Sequence, residues 1–240
     1  MAATLPHRAF RNRTHAGKQL AAALHAYRHA AATLVLALPR GGVPVGCVIA
    51  RELNLPLDIF LVRKLGMPGH EEFAIGAVAS GGVRVVQPDL VSAAGLSPQA
   101  LEAMCAREMA EIERRDRQYR GARPLPDVCG QVVILVDDGL ATGASMRAAI
   151  AALSAQAPAR LVVAVPVGAP ETCAALHAEV NQLVCLREPP TFRCVSQGYA
   201  QFEQTTDDEV QALLAHAWRT QPLPVPARID NDIVTRRTSS

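Results

Sequence analysis

The chain has 240 residues, half of them hydrophobic and only 4% aromatic, with a formal net charge of +2. That length suits one large domain or a domain with a small subdomain. So small a charge gives no argument for nucleic acid or an acidic membrane as partner. No apolar run reaches the roughly 18–20 residues that cross a bilayer, and no secretory signal is visible, so a cytoplasmic protein is expected.

No acidic residue precedes Glu52, while Arg8, Arg11, Arg13, Lys18 and Arg28 fall in that opening stretch. An acid-poor, arginine-bearing start can look like an organellar transit segment. Here an ordinary helical pattern runs straight through it. The six cysteines, Cys47, Cys105, Cys129, Cys173, Cys185 and Cys194, include no Cys-x-x-Cys pair. Neither a zinc site nor a disulfide framework follows from that spacing, and free thiols in a reducing compartment are expected.

Taken in chain order, Ala16, Leu20, Ala23, Leu24 and Tyr27 recur at helical spacing and predict a helix over about 15–30. Leu34 to Leu38 reads as a short buried strand closed by Pro39 and the Gly41-Gly42 pair. A helix over 43–53 follows, then a buried strand over 57–62 ending at Arg63-Lys64. Residues 65–82 carry Gly66, Pro68, Gly69, Gly76, Gly81 and Gly82 around Glu71-Glu72 and predict a long irregular loop of functional kind. Val83 to Val86 is expected as a short strand. Ser97-Pro98 opens a charged helix to about Tyr119, whose interleaved acids and bases suit a solvated face laced with ion pairs. Strands are expected over 132–136, 161–165 and 183–186, with helices over 145–155 and 170–178 between them. Thr206-Asp207-Asp208-Glu209 is a capping box for a last helix to about Ala217. Pro222, Pro224 and Pro226 then mark a loose tail over 218–240.

Strands alternating with helices imply an α/β fold, a mainly parallel twisted sheet flanked by helices, whose ligands bind at the carboxyl ends of the strands. Three strand exits carry unusual chemistry. After Val136 come Asp137 and Asp138, poor strand material side by side because neighbouring residues face opposite ways. Gly139, Ala141, Thr142, Gly143, Ala144 and Ser145 follow, small residues and two hydroxyls where a helix begins. Free N–H groups and the positive dipole end make an anion seat there. Carboxylates for a diol beside a seat for phosphate describe a ribose 5-phosphate. The other two exits are Pro39-Arg40-Gly41-Gly42 and Arg63-Lys64. No Walker phosphate motif is present.

The stretch from Val133 to Ser145, with its apolar strand, two acids and Thr-Gly-x-Ser, resembles the signature of type I phosphoribosyltransferases for 5-phosphoribosyl-1-pyrophosphate (PRPP). The likeness extends over about residues 8–217. It is nearest to an uncharacterised bacterial group of predicted phosphoribosyltransferases, through Phe10-Arg11-x-Arg13, Arg63-Lys64-Leu65-Gly66-x-Pro68-Gly69 and Ala74-Ile75-Gly76-Ala77-Val78. The resemblance implies that Arg40, Gly41, Gly42, Arg63 and Lys64 bind the pyrophosphate, that Mg²⁺ arrives mainly on PRPP without a dedicated protein ligand, and that residues 65–82 form a catalytic lid. It further implies a helical insertion over 89–120, a hood over 186–202 and a homodimer.

The reaction implied is transfer of the 5-phosphoribosyl group to a nitrogen acceptor with release of pyrophosphate, with Asp137, Asp138, Arg63 and Lys64 as the catalytic set. Two positions depart from purine-specific relatives. Ala141 stands where hypoxanthine–guanine members carry an acid/base Asp, leaving Glu71 or Glu72 as the nearest source of a proton-transfer group. Leu186 stands where the hood of purine members places a stacking aromatic. The alternative function is a non-catalytic sensor of PRPP or a nucleotide, although no helix-turn-helix module is evident; hydrolysis of a phosphosugar is a third.

Overall fold

A computed structural model describes residues 9–67 and 70–220. Helix α1 spans Arg13–Ala23 and is followed by a single 3₁₀ turn at His25–Tyr27, strand β1 at Thr33–Ala37, helix α2 at Gly42–Leu53 and strand β2 at Leu57–Ile59. Strands β3 (Val62–Met67), β4 (His70–Ala79) and β5 (Val83–Val86) come next, then helices α3 (Pro88–Ala93) and α4 (Pro98–Arg120). The second half alternates: β6 (Val132–Val136), α5 (Ala144–Ser154), β7 (Arg160–Val167), α6 (Pro170–Leu176), β8 (Gln182–Arg187) and, after a loop, α7 (Asp207–Thr220).

Five of these strands form one sheet in the order β2-β1-β6-β7-β8, parallel at every pairing. Its strands are apolar on both faces because helices cover both. Val35, Ala37, Ile134, Val136, Val162 and Ala164 belong to one core cluster with Leu20, Ile49 and Leu214 of α1, α2 and α7. Their immediate neighbours Leu34, Leu36, Val133, Leu135, Leu161 and Val163 belong to the other, with Ile150 and Leu153 of α5. Alternate residues thus feed opposite layers, each fully buried Leu, Ile or Val contributing about 1.5–3 kcal/mol of transfer free energy.

Strands β3, β4 and β5 form a separate antiparallel sheet, and here the sequence reading needs correction. The expected loop over 65–82 is a hairpin continuing into β5, and the single strand expected over 57–62 breaks after Ile59 so that Val62 starts the second sheet. Leu65, Ile75, Ala77, Val78 and Ala79 are buried. Gly76 serves strand pairing, not a turn: a Cβ there would lie 2.4 Å from the Val85 carbonyl oxygen. Gly81 and Gly82, with φ of 82° and 75°, are the true turn glycines. The last helix also runs past Ala217 to Thr220, so the loose tail does not begin at 218; residues 221–240 lie outside those described.

The outer edge of β2 is covered by side chains. Trp218 Nε1 donates to the Leu57 carbonyl at 3.0 Å, and Arg120 Nη2 donates to the Ile59 carbonyl at 3.1 Å. Arg120 also pairs with Asp58 at 2.5 Å, both side chains essentially without exposure. A second contact to Asp116 at 2.9 Å completes its coordination. The 89–120 segment, expected as a helical insertion, is α3 and α4, and this buried ion pair fastens the end of α4 to the sheet edge.

Candidate functional site

The exits of β1 and β6, neighbours in the sheet, bring two of the three candidate loops into contact. Gly41 lies against Asp138 so closely that a Cβ at 41 would stand 2.0 Å from the Asp138 Oδ2. A Cβ at Gly42 would stand 2.7 Å from the Val136 carbonyl oxygen. Glycine is required at both positions because backbone meets backbone and carboxylate there. The Pro39–Arg40 peptide is cis, and Gly42 N–H returns to the Leu38 carbonyl at 3.0 Å.

Asp138 is held from several sides. Arg13 Nε and Nη2 both lie 2.8 Å from its Oδ2, with the two side chains 12% and 13% exposed. Tyr199 donates its hydroxyl to the Asp138 carbonyl oxygen at 2.6 Å. The Arg13 guanidinium in turn lies 4.0 Å from the centre of the Phe202 ring and donates to the Glu203 carbonyl at 2.7 Å. Asp137 uses Oδ1 to accept the Asp138 backbone N–H at 2.8 Å. Burial of its carboxyl, reinforced by the adjacent Asp138 charge, raises the Asp137 pKa well above the usual carboxylate range.

Past the acids, Leu140 bridges to Gly168, its N–H bonding the Val167 carbonyl at 2.9 Å. Gly143 caps α5 with φ 74° and ψ 3°. Among the described residues, no backbone carbonyl takes up the N–H groups of Ala141, Thr142, Gly143 or Ser145. These amides sit at the start of an 11-residue helix, where the dipole adds to their attraction for an anion. Thr142 Oγ1 reaches the Ala144 N–H at 3.4 Å, and Thr172 from α6 donates to the Ala141 carbonyl at 2.7 Å, bracing the turn from below.

The third candidate, Arg63-Lys64, lies within β3. Arg63, Asp137, Ser145 and Pro39 line one cavity of about 100 Å³, so the strand carries Arg63 to the acids and the α5 turn. Two basic side chains of the expected pyrophosphate set meet carboxylates: Arg63 lies 2.7 Å from Glu108, and Arg40 3.5 Å from Asp207. Lys64 is half-buried opposite Ala77. Glu71 and Glu72 belong to the start of β4, and their side chains lie outside what the structure describes. Leu186, which stands where purine members place a stacking aromatic, is half-buried and packs against the Phe10, Ala16, Val167 and Tyr199 cluster.

Sequence reasoning missed Arg13 as a partner of the acids, Tyr199 and Thr172. Arg13 had a signal, the basic pair flanking Asn12, but nothing near it in the chain points to Asp138, 125 residues away. Tyr199 and Thr172 are ordinary residues in sequence and acquire roles only through packing.

The fold is thus a parallel α/β sheet with an acid pair and the start of a helix side by side at its strand exits. The phosphoribosyl transferase domain family matches residues 10–186, and the chain belongs to that family. It is 41% identical over 210 residues to two Mycobacterium tuberculosis proteins, "Putative phosphoribosyl transferase MT0597" and "Putative phosphoribosyl transferase Rv0571c". The match covers 88% of this chain and 47% of each relative, so the chain spans about half their length. The crystal structure of TT1426 from Thermus thermophilus is similar with a TM-score of 0.79 and 44% identity, over 87% of this chain and 98% of that one.

Proposed function

We propose that the chain transfers the 5-phosphoribosyl group of PRPP to a nitrogen acceptor and releases pyrophosphate. The observation that carries this reading is the closure of the Arg40-Gly41-Gly42 loop onto Asp137-Asp138, directly beside the amides of Ala141, Thr142, Gly143 and Ser145, which no backbone carbonyl takes up among the described residues. Phosphate fits the amides, and Thr142 and Ser145 add hydroxyl donors. The ribose diol fits Asp137 and Asp138, and the diphosphate reaches Arg40, the Gly41 amide beside Gly42, Arg63 and Lys64.

The acceptor nitrogen forms a bond to the anomeric carbon as the bond from that carbon to the pyrophosphate oxygen breaks, its electron pair leaving with pyrophosphate. Negative charge then grows on the leaving group, where Arg40, Arg63 and Lys64 supply positive charge. To do so, Arg63 exchanges Glu108 for the diphosphate, and Arg40 exchanges Asp207. The acceptor's proton leaves to Glu71 or Glu72 from the hairpin, or to water.

Mg²⁺ fits this donor set as a passenger of the substrate. Asp137 and Asp138 are the carboxylates at the seat, and one Asp138 oxygen already serves Arg13. Two carboxylates with diphosphate oxygens suit an ion that keeps most of its ligands outside the protein. When bound, it offsets leaving-group charge; the chain's part is to hold ribose and diphosphate in line.

The test is pyrophosphate release from PRPP and Mg²⁺ in the presence of a pooled small-molecule extract, followed by mass identification of the ribosylated product. Release that depends on extract and vanishes in Asp137→Asn/Asp138→Asn supports transfer. The carboxylate partners of Arg40 and Arg63 favour a second reading, a PRPP sensor, because ligand binding would free Asp207 on α7 and Glu108 on α4. Tight PRPP binding with no pyrophosphate release from any fraction would select that reading.

A further inference from the structure

Cysteine spacing predicted no metal site, yet the fold brings two thiols and a carboxylate together on the side of the sheet below the anion seat. Cys173 comes from α6, Cys185 from β8, and Glu188 from the residue just past that strand's end. Their ligand atoms, one sulfur from each cysteine and one carboxylate oxygen, all lie within 4.8 Å of one another. Cys173 is fully buried, Cys185 half-buried and Glu188 exposed, so the cluster is closed at its base and open at one side. The chain makes room for it: Gly168 has no side chain, and a Cβ there would stand 2.5 Å from the Cys173 sulfur and 3.3 Å from the Cys185 sulfur.

From this cluster we propose a zinc site formed by Cys173, Cys185 and Glu188, with water as the fourth ligand. Tetrahedral zinc with Zn–S near 2.3 Å and Zn–O near 2.0–2.2 Å places its ligand atoms roughly 3.5–3.8 Å apart. From the observed spacing of up to 4.8 Å the atoms close to that by a contraction of at most about 1 Å, with Glu188 the exposed member of the three. Two thiolates favour a thiophilic ion over Mg²⁺ or Ca²⁺, and the oxygen ligand distinguishes the site from a bare dithiol. The three ligands join α6 to β8. Thr172, next to Cys173, donates to the Ala141 carbonyl, and Gly168 bridges to Leu140. A bound ion therefore fixes the ground on which the 139–145 turn stands, whatever ligand that turn receives.

The experiment uses the full chain, reduced with a phosphine, stripped with chelator and titrated anaerobically with Co²⁺. One equivalent should produce a sulfur-to-cobalt charge-transfer band with the intense visible bands of tetrahedral cobalt, and Zn²⁺ should displace it. Zn²⁺ should also raise the melting temperature, since an ion that binds only the folded chain stabilises it. Cys185→Ser should abolish both the band and the Zn²⁺-induced rise. Cys129→Ser/Cys194→Ser, which removes the two exposed thiols, should change neither. Glu188→Gln, at an exposed position that cannot disturb the core, should weaken Co²⁺ binding by more than about tenfold, the scale seen when even a ligand's outer partner is lost. The proposal is overturned by absence of a thiolate band, by its survival in Cys185→Ser, by its loss in the Cys129→Ser/Cys194→Ser variant, or by unchanged affinity in Glu188→Gln.

Discussion

Arg13 of α1 sets two nitrogens on a single oxygen of Asp138, 125 residues further along the chain, and leaves the other carboxylate oxygen to the cleft. The first helix thereby aims the acid that closes β6. Asp138→Asn removes the ion pair and leaves the Arg13 cation bonded to a neutral amide oxygen, and Arg13→Ala removes both bonds. Each should cost about 1.5–3 kcal/mol of stability, and PRPP affinity measured by calorimetry should fall in both. Wild-type affinity in Arg13→Ala would show that Asp138 needs no such aim.

Asp137 carries a pH signature. Its pKa is raised by burial of the carboxyl and by the charge of Asp138. A carboxyl whose folded pKa exceeds its unfolded value contributes stability that is complete below the unfolded pKa and is lost as pH rises through the folded pKa. Unfolding free energy should therefore decline with rising pH through that elevated range. Asp137→Asn, which cannot ionise, should flatten the decline and match or exceed wild-type stability at the alkaline end. Denaturant titrations across pH check this, and an unchanged slope in the variant would assign the decline to another group.

Gly143 is a poor place to probe phosphate binding in isolation. Its φ of 74° suits glycine, and a Cβ would stand 2.7 Å from Thr172 Cγ2. Gly143→Ala should lose at least about 1–2 kcal/mol from the left-handed backbone alone, with Gly143→Val worse. Thr142→Ala, at an exposed position, is the cleaner probe: its melting temperature should stay near wild type while ribose 5-phosphate binding weakens.

The hairpin of β3 and β4 changes what hydrogen exchange should report. Residues 76–79 are paired on both sides, to β3 and β5, and should exchange slowly with or without PRPP. Ligand-dependent protection should concentrate in 67–73, around the connection between β3 and β4. Uniformly fast exchange over 65–82 in the free protein would restore the long-loop expectation.

Arg120→Ala should be among the most damaging single changes outside the site. It leaves Asp58 in the core with only Arg123, 3.6 Å away, to answer its charge, and breaking such a pair costs about 3–5 kcal/mol. Arg120→Met with Asp58→Leu should recover much of that loss in thermal melts.

The sheet was legible because its strands are apolar on both faces and end at chemistry: β6 was predicted at its observed bounds, and β1 within a residue. The acid pair and the helix start that follows it were legible as one contiguous stretch. The hairpin was not, since Gly76 looks the same in sequence whether it makes a turn or admits the neighbouring backbone at Val85. Nor were Arg13 with Asp138, or Cys173 with Cys185 and Glu188, pairings that exist only once distant segments are packed.

The capped edge of β2 has a consequence for how copies of this chain can meet. With the Leu57 and Ile59 carbonyls already satisfied by Trp218 and Arg120, that border offers no free row of acceptors to an incoming strand. Edge-to-edge joining, the usual route by which an open sheet recruits another chain, is blocked there by side chains from α4 and α7. An association of two copies that involves this side must therefore use side-chain surfaces, leaving the sheet itself at five strands.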